Sequence, residues 1–162
     1  MIDSQRIVHT CLLVPKLEAA MEAIGSTTGL MWAAPWAYEK LEYWTPRGVV
    51  TTPRIRVTYS KQGPQHLELI EPAAGGFFDG SAQRGVHHVG VWSQDVTAEA
   101  NALVRQGWIV EAAAVSPEAG YGRVAFLRPA SGGMLVELVT TGLLPLMQGR
   151  VGATLKGPEV RP

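Results

Sequence analysis

The sequence predicts an α+β fold: two tandem β-α-β-β-β modules forming a curved mixed sheet around one metal-binding cavity. Three observations predict it. The apolar run at residues 6–14, which contains His9, is restated at residues 85–92, which contain His87 and His88. Each run is followed by a polar break and a helix-like segment. Each half then closes on a strand with a glutamate set among aliphatics, Glu68 at residues 65–71 and Glu137 at residues 134–139. The offsets support a repeat, because Gly63 precedes Glu68 by five residues and Gly132 precedes Glu137 by five. His9 to Glu68 spans 59 residues and His88 to Glu137 spans 49, so the surplus lies in the tryptophan-rich middle of the first half.

The elements follow in order. Residues 6–14 form a strand that Pro15 ends, since proline has no N–H for a ladder. Residues 16–28 form a helix with Leu17, Ala20, Met21 and Ile24 on one face, weakened by Gly25 and Gly29. A strand is expected at about 38–45 and a loop over 46–53, where Pro46 and Pro53 fall. Ile55, Val57 and Tyr59 alternate with Arg54, Arg56 and Thr58 in a third strand. The turn Lys61-Gln62-Gly63-Pro64 leads into the first glutamate strand. Residues 1–72 make the first module and the glycine-rich stretch 73–85 a linker. The second module, 86–141, reads as a strand at 86–92 and a helix at 95–106, with Val96, Ala100, Leu103 and Val104 inward and Gly107 as cap. Strands at 108–114, 121–128 and 134–140 complete it. Residues 142–162 are a C-terminal arm holding a short helix and a loose end.

Composition narrows the function classes. With 162 residues, 46% hydrophobic and 17% charged, the chain is globular rather than disordered. Zero net charge gives no bulk attraction to nucleic acid or membrane. No apolar run approaches the roughly 20 residues that cross a bilayer. The single cysteine, Cys11, excludes an intrachain disulfide. With Asp3 early and no basic-then-apolar run beside it, no signal peptide is expected. A cytoplasmic protein is expected.

The histidines and glutamates carry the chemistry. On an alternating strand His88 shares a face with Gly90 and Trp92, and His87 faces away with Val89. Glu68 shares its face with His66. A carboxylate between aliphatics is costly to bury uncompensated. Two such carboxylates, each in register with a histidine strand, compensate one another through a bound divalent cation. Imidazole nitrogen and carboxylate oxygen suit Zn, Fe, Mn, Co or Ni. Two histidines and two glutamates fill four positions of an octahedron and leave two for water or substrate oxygens.

Four stretches carry a family resemblance: His-x-x-x-x-Val-Pro from His9, His-Leu-Glu-Leu-Ile-Glu-Pro from His66, Gly-Val-His-His-Val from Gly85, and Phe-Leu-Arg-Pro-Ala-Ser-Gly-Gly-Met-Leu-Val-Glu-Leu from Phe126. With the repeat, they resemble the vicinal oxygen chelate superfamily, which includes glyoxalase I, methylmalonyl-CoA epimerase, extradiol dioxygenases and bleomycin-resistance proteins. The resemblance covers roughly residues 6–140, and the second half is most similar to the epimerase. It implies one divalent metal held by His9, Glu68, His88 and Glu137, a homodimer, and Glu137 as a ligand that can detach and act as base. It implies an isomerase, epimerase or lyase that moves a proton next to a metal-bound carbonyl. The chain departs from the epimerase pattern at Pro46-Arg47-Gly48-Val49, where an acid is expected; Glu42 or His66 is the candidate substitute.

Singly, each histidine would be expected in the core, bonded to a carbonyl; the shared register of the pair with two glutamates favours a ligand set. His66 is read as catalytic, as a support for the metal ligands, or as lining. Trp44, Trp92, Tyr121 and Arg123 are the candidate substrate contacts. Five tryptophans point to a small-molecule substrate with an apolar or aromatic part. Two rivals stay open. One is an Fe(II)-dependent ring-cleaving dioxygenase. The other is a non-catalytic binding or resistance protein that holds an apolar ligand.

Overall fold

A computed structural model describes residues 4–79, 85–152 and 154–157. Strand β1 (Ile7–Leu13) buries Val8, His9, Cys11 and Leu13 and stops before Pro15. Helix α1 (Leu17–Thr28) packs Leu17, Ala20, Met21 and Ile24 against Val14 and Leu69. Gly29 ends the helix in the left-handed region at φ 76°, and its N–H donates to the Gly25 carbonyl. The chain then runs through β2 (Trp36–Tyr38), β3 (Leu41–Thr45), β4 (Gly48–Thr52) and β5 (Ile55–Tyr59), and closes the first half on β6 (His66–Pro72).

The second half is plainer. Strand β7 (Gly85–Ser93) leads to α2 (Val96–Arg105), which Asp95 caps by accepting the Ala98 N–H at 2.9 Å. Val96, Ala100 and Leu103 are buried, whereas Val104, expected inward, is 42% exposed at the flank of the apolar stripe. Strands β8 (Trp108–Ala113), β9 (Val124–Pro129) and β10 (Leu135–Thr140) follow, then a 3₁₀ turn and α3 (Leu144–Val151).

The ten strands of the described residues join one mixed sheet in the order β2-β5-β6-β1-β7-β10-β9-β8-β3-β4. Strands β1 and β7 run antiparallel at its centre, and β6 and β10 lie parallel to them on either side. Read outward from the centre, β1-β6-β5-β2 repeats as β7-β10-β9-β8. The sheet curls into a half-barrel. Helices α1 and α2 each cover their own apolar cluster, while a larger cluster from both halves takes in Val8, Phe126 and Val139.

Three expectations change. The stretch 46–53 is largely strand β4, because the β-branched run Val49-Val50-Thr51-Thr52 pairs with β3 from Leu41↔Thr52 to Thr45↔Gly48. Pro46 and Arg47 make only the turn, and the single strand expected at 38–45 is broken between β2 and β3. Segments β2–β3 and β4–β5 are therefore two arms of one long bent hairpin. Its base pairs with β6, and its tip reaches β8 through Trp44↔Ala113. The stretch 73–85 is more than a linker, since Phe78 is buried and Phe77 packs on the same cluster; residues 80–84 lie outside the described residues. The C-terminal arm is anchored by Val151 and Leu155, both buried; residue 153 and residues 158–162 lie outside the described residues.

Candidate metal centre

Four strands bring the two histidines and two glutamates to one point. β1 supplies His9, β6 Glu68, β7 His88 and β10 Glu137. His9 and His88 face each other with Nε2 atoms 3.1 Å apart. Glu68 Oε2 lies 3.4 Å from His9 Nε2 and 3.3 Å from His88 Nε2. Glu137 Oε2 lies 3.2 Å from His9 Nε2 and 3.3 Å from His88 Nε2. Donors each about 2.1 Å from one ion, at right angles or tetrahedral angles, stand about 3.0–3.4 Å apart. The histidine–histidine and histidine–glutamate distances have that spacing. Glu68 Oε2 is buried and makes no hydrogen bond. The donor set and this orphaned oxygen fit a divalent cation.

Local sequence explains the convergence. His9 sits opposite Gly90 on β7, where a Cβ would lie 2.1–2.5 Å from the His9 ring, so only glycine lets the imidazole cross the strand. Tyr59, opposite Glu68 in the β5–β6 ladder, donates its hydroxyl to Glu68 Oε1 at 2.7 Å. It also stands edge-on to the His9 ring and stacks on Trp36. Cys11 lies beside Glu68 and His88, with donor atoms within 4.8 Å of one another.

The cluster is electrostatically coupled. Burial alone would push the Glu137 carboxyl up, but His88 and His9 outweigh it and bring it to about 2. Burial likewise opposes ionisation of Glu68, and His9 and His88 again win, holding it below the ordinary carboxylate range. Burial opposes a charge on His88, yet Cys11 and Glu137 draw its pKa well above the ordinary value. The Cys11 thiol is itself pushed up by burial and stays neutral, so the carboxylates of Glu137 and Glu68 are the charges that hold that proton. His87 goes the other way: burial, helped by His88, lowers it to about 4.

Above the cluster opens a cavity of about 290 Å³, lined mainly by apolar side chains such as Leu41, Ile55, Val57 and Phe78. Leu143, Leu146 and Met147, from α3 and the turn before it, line it as well. His9, Glu68, His88 and Glu137 all contribute to its wall. Trp92 lines it too, with its indole N–H donated to the Lys156 carbonyl at 3.0 Å, so only its ring is offered to the cavity. Arg123 is an exposed member of the wall.

Three sequence candidates fall elsewhere. Trp44 packs on the α2 cluster because the hairpin tip leans against β8. Tyr121 packs there too and donates its hydroxyl to Asn101 at 2.8 Å. His66 is buried under the 61–64 turn, where its Nδ1–H donates to the Ser60 carbonyl at 2.7 Å and a Cβ at Gly63 would touch its ring. Of the substitutes for the missing acid, Glu42 lines the cavity and pairs with Lys40, and His66 does not line it. Two residues were missed. In the sequence Tyr59 is only one member of an alternating strand. Strand alternation turns His87 away from His88, yet its Nδ1 lies 2.9 Å from His88 Nδ1.

Comparisons with known proteins bear on the fold and the family. A variant of the Streptomyces coelicolor methylmalonyl-CoA epimerase in complex with 2-nitronate-propionyl-CoA is similar at 25% identity and TM-score 0.57, over 83% of this chain and 93% of that one. A methylmalonyl-CoA epimerase in complex with methylmalonyl-CoA and NH4+ shares the fold at 24% identity and TM-score 0.57, over 94% of this chain and 98% of that one. The Mycobacterium tuberculosis methylmalonyl-CoA epimerase shares it at 19% identity and TM-score 0.55, over 86% and 92%. No curated protein sequence matches the chain. The pattern of the glyoxalase/bleomycin resistance protein/dioxygenase superfamily matches residues 8–126, and the chain belongs to that superfamily.

Proposed function

We propose that the protein is a divalent-metal-dependent enzyme that moves a proton at a carbon next to a carbonyl, an epimerase or isomerase of small acyl compounds. The observation that carries this reading is the convergence of His9, Glu68, His88 and Glu137 at one end of an apolar cavity. These four residues would hold the ion. When bound, a divalent cation polarises a carbonyl oxygen and makes the neighbouring C–H more acidic. The Glu137 side chain is 13% exposed against 9% for Glu68, so it is the more accessible of the two carboxylates. His88 and His9 hold its carboxyl below the ordinary range, so it is ionised, and in this proposal it is the group that takes the proton. The apolar wall excludes water and receives the apolar part of the substrate. Arg123 meets an anionic group at the cavity's exposed rim. A cytoplasmic homodimer belongs to the same proposal.

The test begins with elemental analysis of protein purified without added metal, beside Glu137→Ala. About one Co, Zn, Ni, Mn or Fe per chain is expected, and it is lost in the variant. Incubation of the metal-loaded protein in D2O with acyl-CoA thioesters and ketones should then place deuterium next to the carbonyl. No metal after reconstitution would sink the reading and favour a binding protein. Oxygen uptake with a catechol, without deuterium exchange, would replace it with a dioxygenase.

A further inference from the structure

We propose that His87 is a positioning residue for the metal centre: it accepts the Nδ1–H of His88 and so fixes His88 in the tautomer that presents Nε2 to the ion. The inference rests on the metal reading of the cluster. His87 itself touches none of the four converging donor atoms.

The backbone shows why a residue that alternation turns away from His88 reaches it. Cys11 pairs with His88, but the next residue, Leu12, pairs with Val86. Two steps along β7 therefore oppose one step along β1, and His87 is the extra residue of a β-bulge. Bulges re-aim side chains. Here the bulge leaves both rings buried, with the two Nδ1 atoms 2.9 Å apart.

The tautomers follow from the other ends of the rings. His88 Nε2 is the atom that lies among His9, Glu68 and Glu137, so its lone pair must be free for a cation. That leaves the His88 proton on Nδ1, and His87 Nδ1 must accept it as a neutral imidazole. Phe77 and Phe78 hold the His87 ring, with centroids 5.4 and 5.1 Å away. Beyond it lies a separate cavity of about 390 Å³ that His87 lines with Glu111 and Arg128.

The choice of acceptor has a chemical consequence. The second nitrogen of a metal-bound histidine usually donates to a carboxylate, a carbonyl or water. A neutral imidazole draws less on that proton than a carboxylate does, so His88 gives less electron density to the ion and leaves it the stronger Lewis acid.

The test uses the cobalt(II)-loaded protein. Coordination through both Nε2 atoms leaves two ring N–H groups, and cobalt shifts their proton resonances far from the rest of the spectrum. In the wild type both exchangeable signals are expected, the His88 one exchanging slowly with solvent. In His87→Ala the His88 signal should be lost to fast exchange while the His9 signal stays. Cobalt affinity should fall about 10- to 100-fold. His87→Asn, whose amide oxygen can take the place of Nδ1, should restore the slow signal and most of the affinity. Thermal unfolding and circular dichroism of both variants show whether they fold. Two slowly exchanging signals and wild-type affinity in His87→Ala would overturn the proposal. Equal impairment of folded Ala and Asn variants would overturn it too, because ring volume rather than an acceptor would then matter. No cobalt bound by the wild type would refute the metal reading itself, and this proposal with it.

Discussion

A Cβ at position 90 would stand 2.1–2.5 Å from three atoms of the His9 ring, closer than any side chain tolerates. His9 cannot yield without leaving Glu68, Glu137 and His88. Gly90→Ala is therefore expected to abolish metal binding, read as metal per chain, and to cost about 1–3 kcal/mol of stability by denaturant titration. Full metal content in a folded Gly90→Ala protein would show that His9 is dispensable. Tyr59→Phe is a milder change. It removes the hydroxyl that holds Glu68 Oε1, and metal affinity should fall about 10- to 100-fold with the fold intact. The two halves of the sequence put His9, Glu68, His88 and Glu137 in matching positions, and that regularity was legible. Tyr59 and His87 were not, for a physical reason: their roles depend on cross-strand register and on a bulge. Alternation along a single strand carries neither. Sequence does not place Trp44 and Tyr121, because Trp44 follows the hairpin tip onto β8 and Tyr121 lies before β9 with φ 63°, not on a strand.

At the scale of the element, the second half folds nearly as its sequence suggests, because Gly107 and the lone glutamate among the aliphatics of β10 punctuate it. The hairpin 36–59 does not. Pro46 and Pro53 outweighed the β-branched run between them, although one falls at the turn and the other between β4 and β5. The C-terminal arm was the other loss. Residues 154–157 have no periodicity, yet Leu155 is fully buried and its carbonyl accepts from Gln148 at 3.0 Å. Burial of a single leucine by tertiary contact leaves no pattern in sequence. Leu155→Ala should lower unfolding stability by about 2–5 kcal/mol, whereas truncating the flank residue Val104 to Ala should change it by less than about 0.5 kcal/mol. Chemical denaturation of the two variants decides it. Equal midpoints would mean that the arm detaches in solution.

At the scale of the whole molecule, the proposed metal centre joins the halves, taking one histidine and one glutamate from each. An ion bound only by the folded chain stabilises it by mass action, so chelation should lower the unfolding temperature in a single transition. The pH dependence follows from the charged cluster. With no cation bound, Glu137 keeps its ionised form down to about 2, so its contribution is present above its ordinary value of 4.5 and lost as pH falls through about 2. His88 is raised above its ordinary 6.5, so its contribution is fully present below that value and lost as pH rises through the raised one. A cation must displace that His88 proton, so metal binding releases a proton and its affinity rises with pH. The gap in unfolding temperature between metal-loaded and chelated protein should therefore widen as pH rises from about 5.5 to about 8. Calorimetric titration in two buffers of different ionisation enthalpy should register the released proton directly. A constant gap and no proton release would mean that the ion leaves His88 untouched, and the ligand set would have to be redrawn without it.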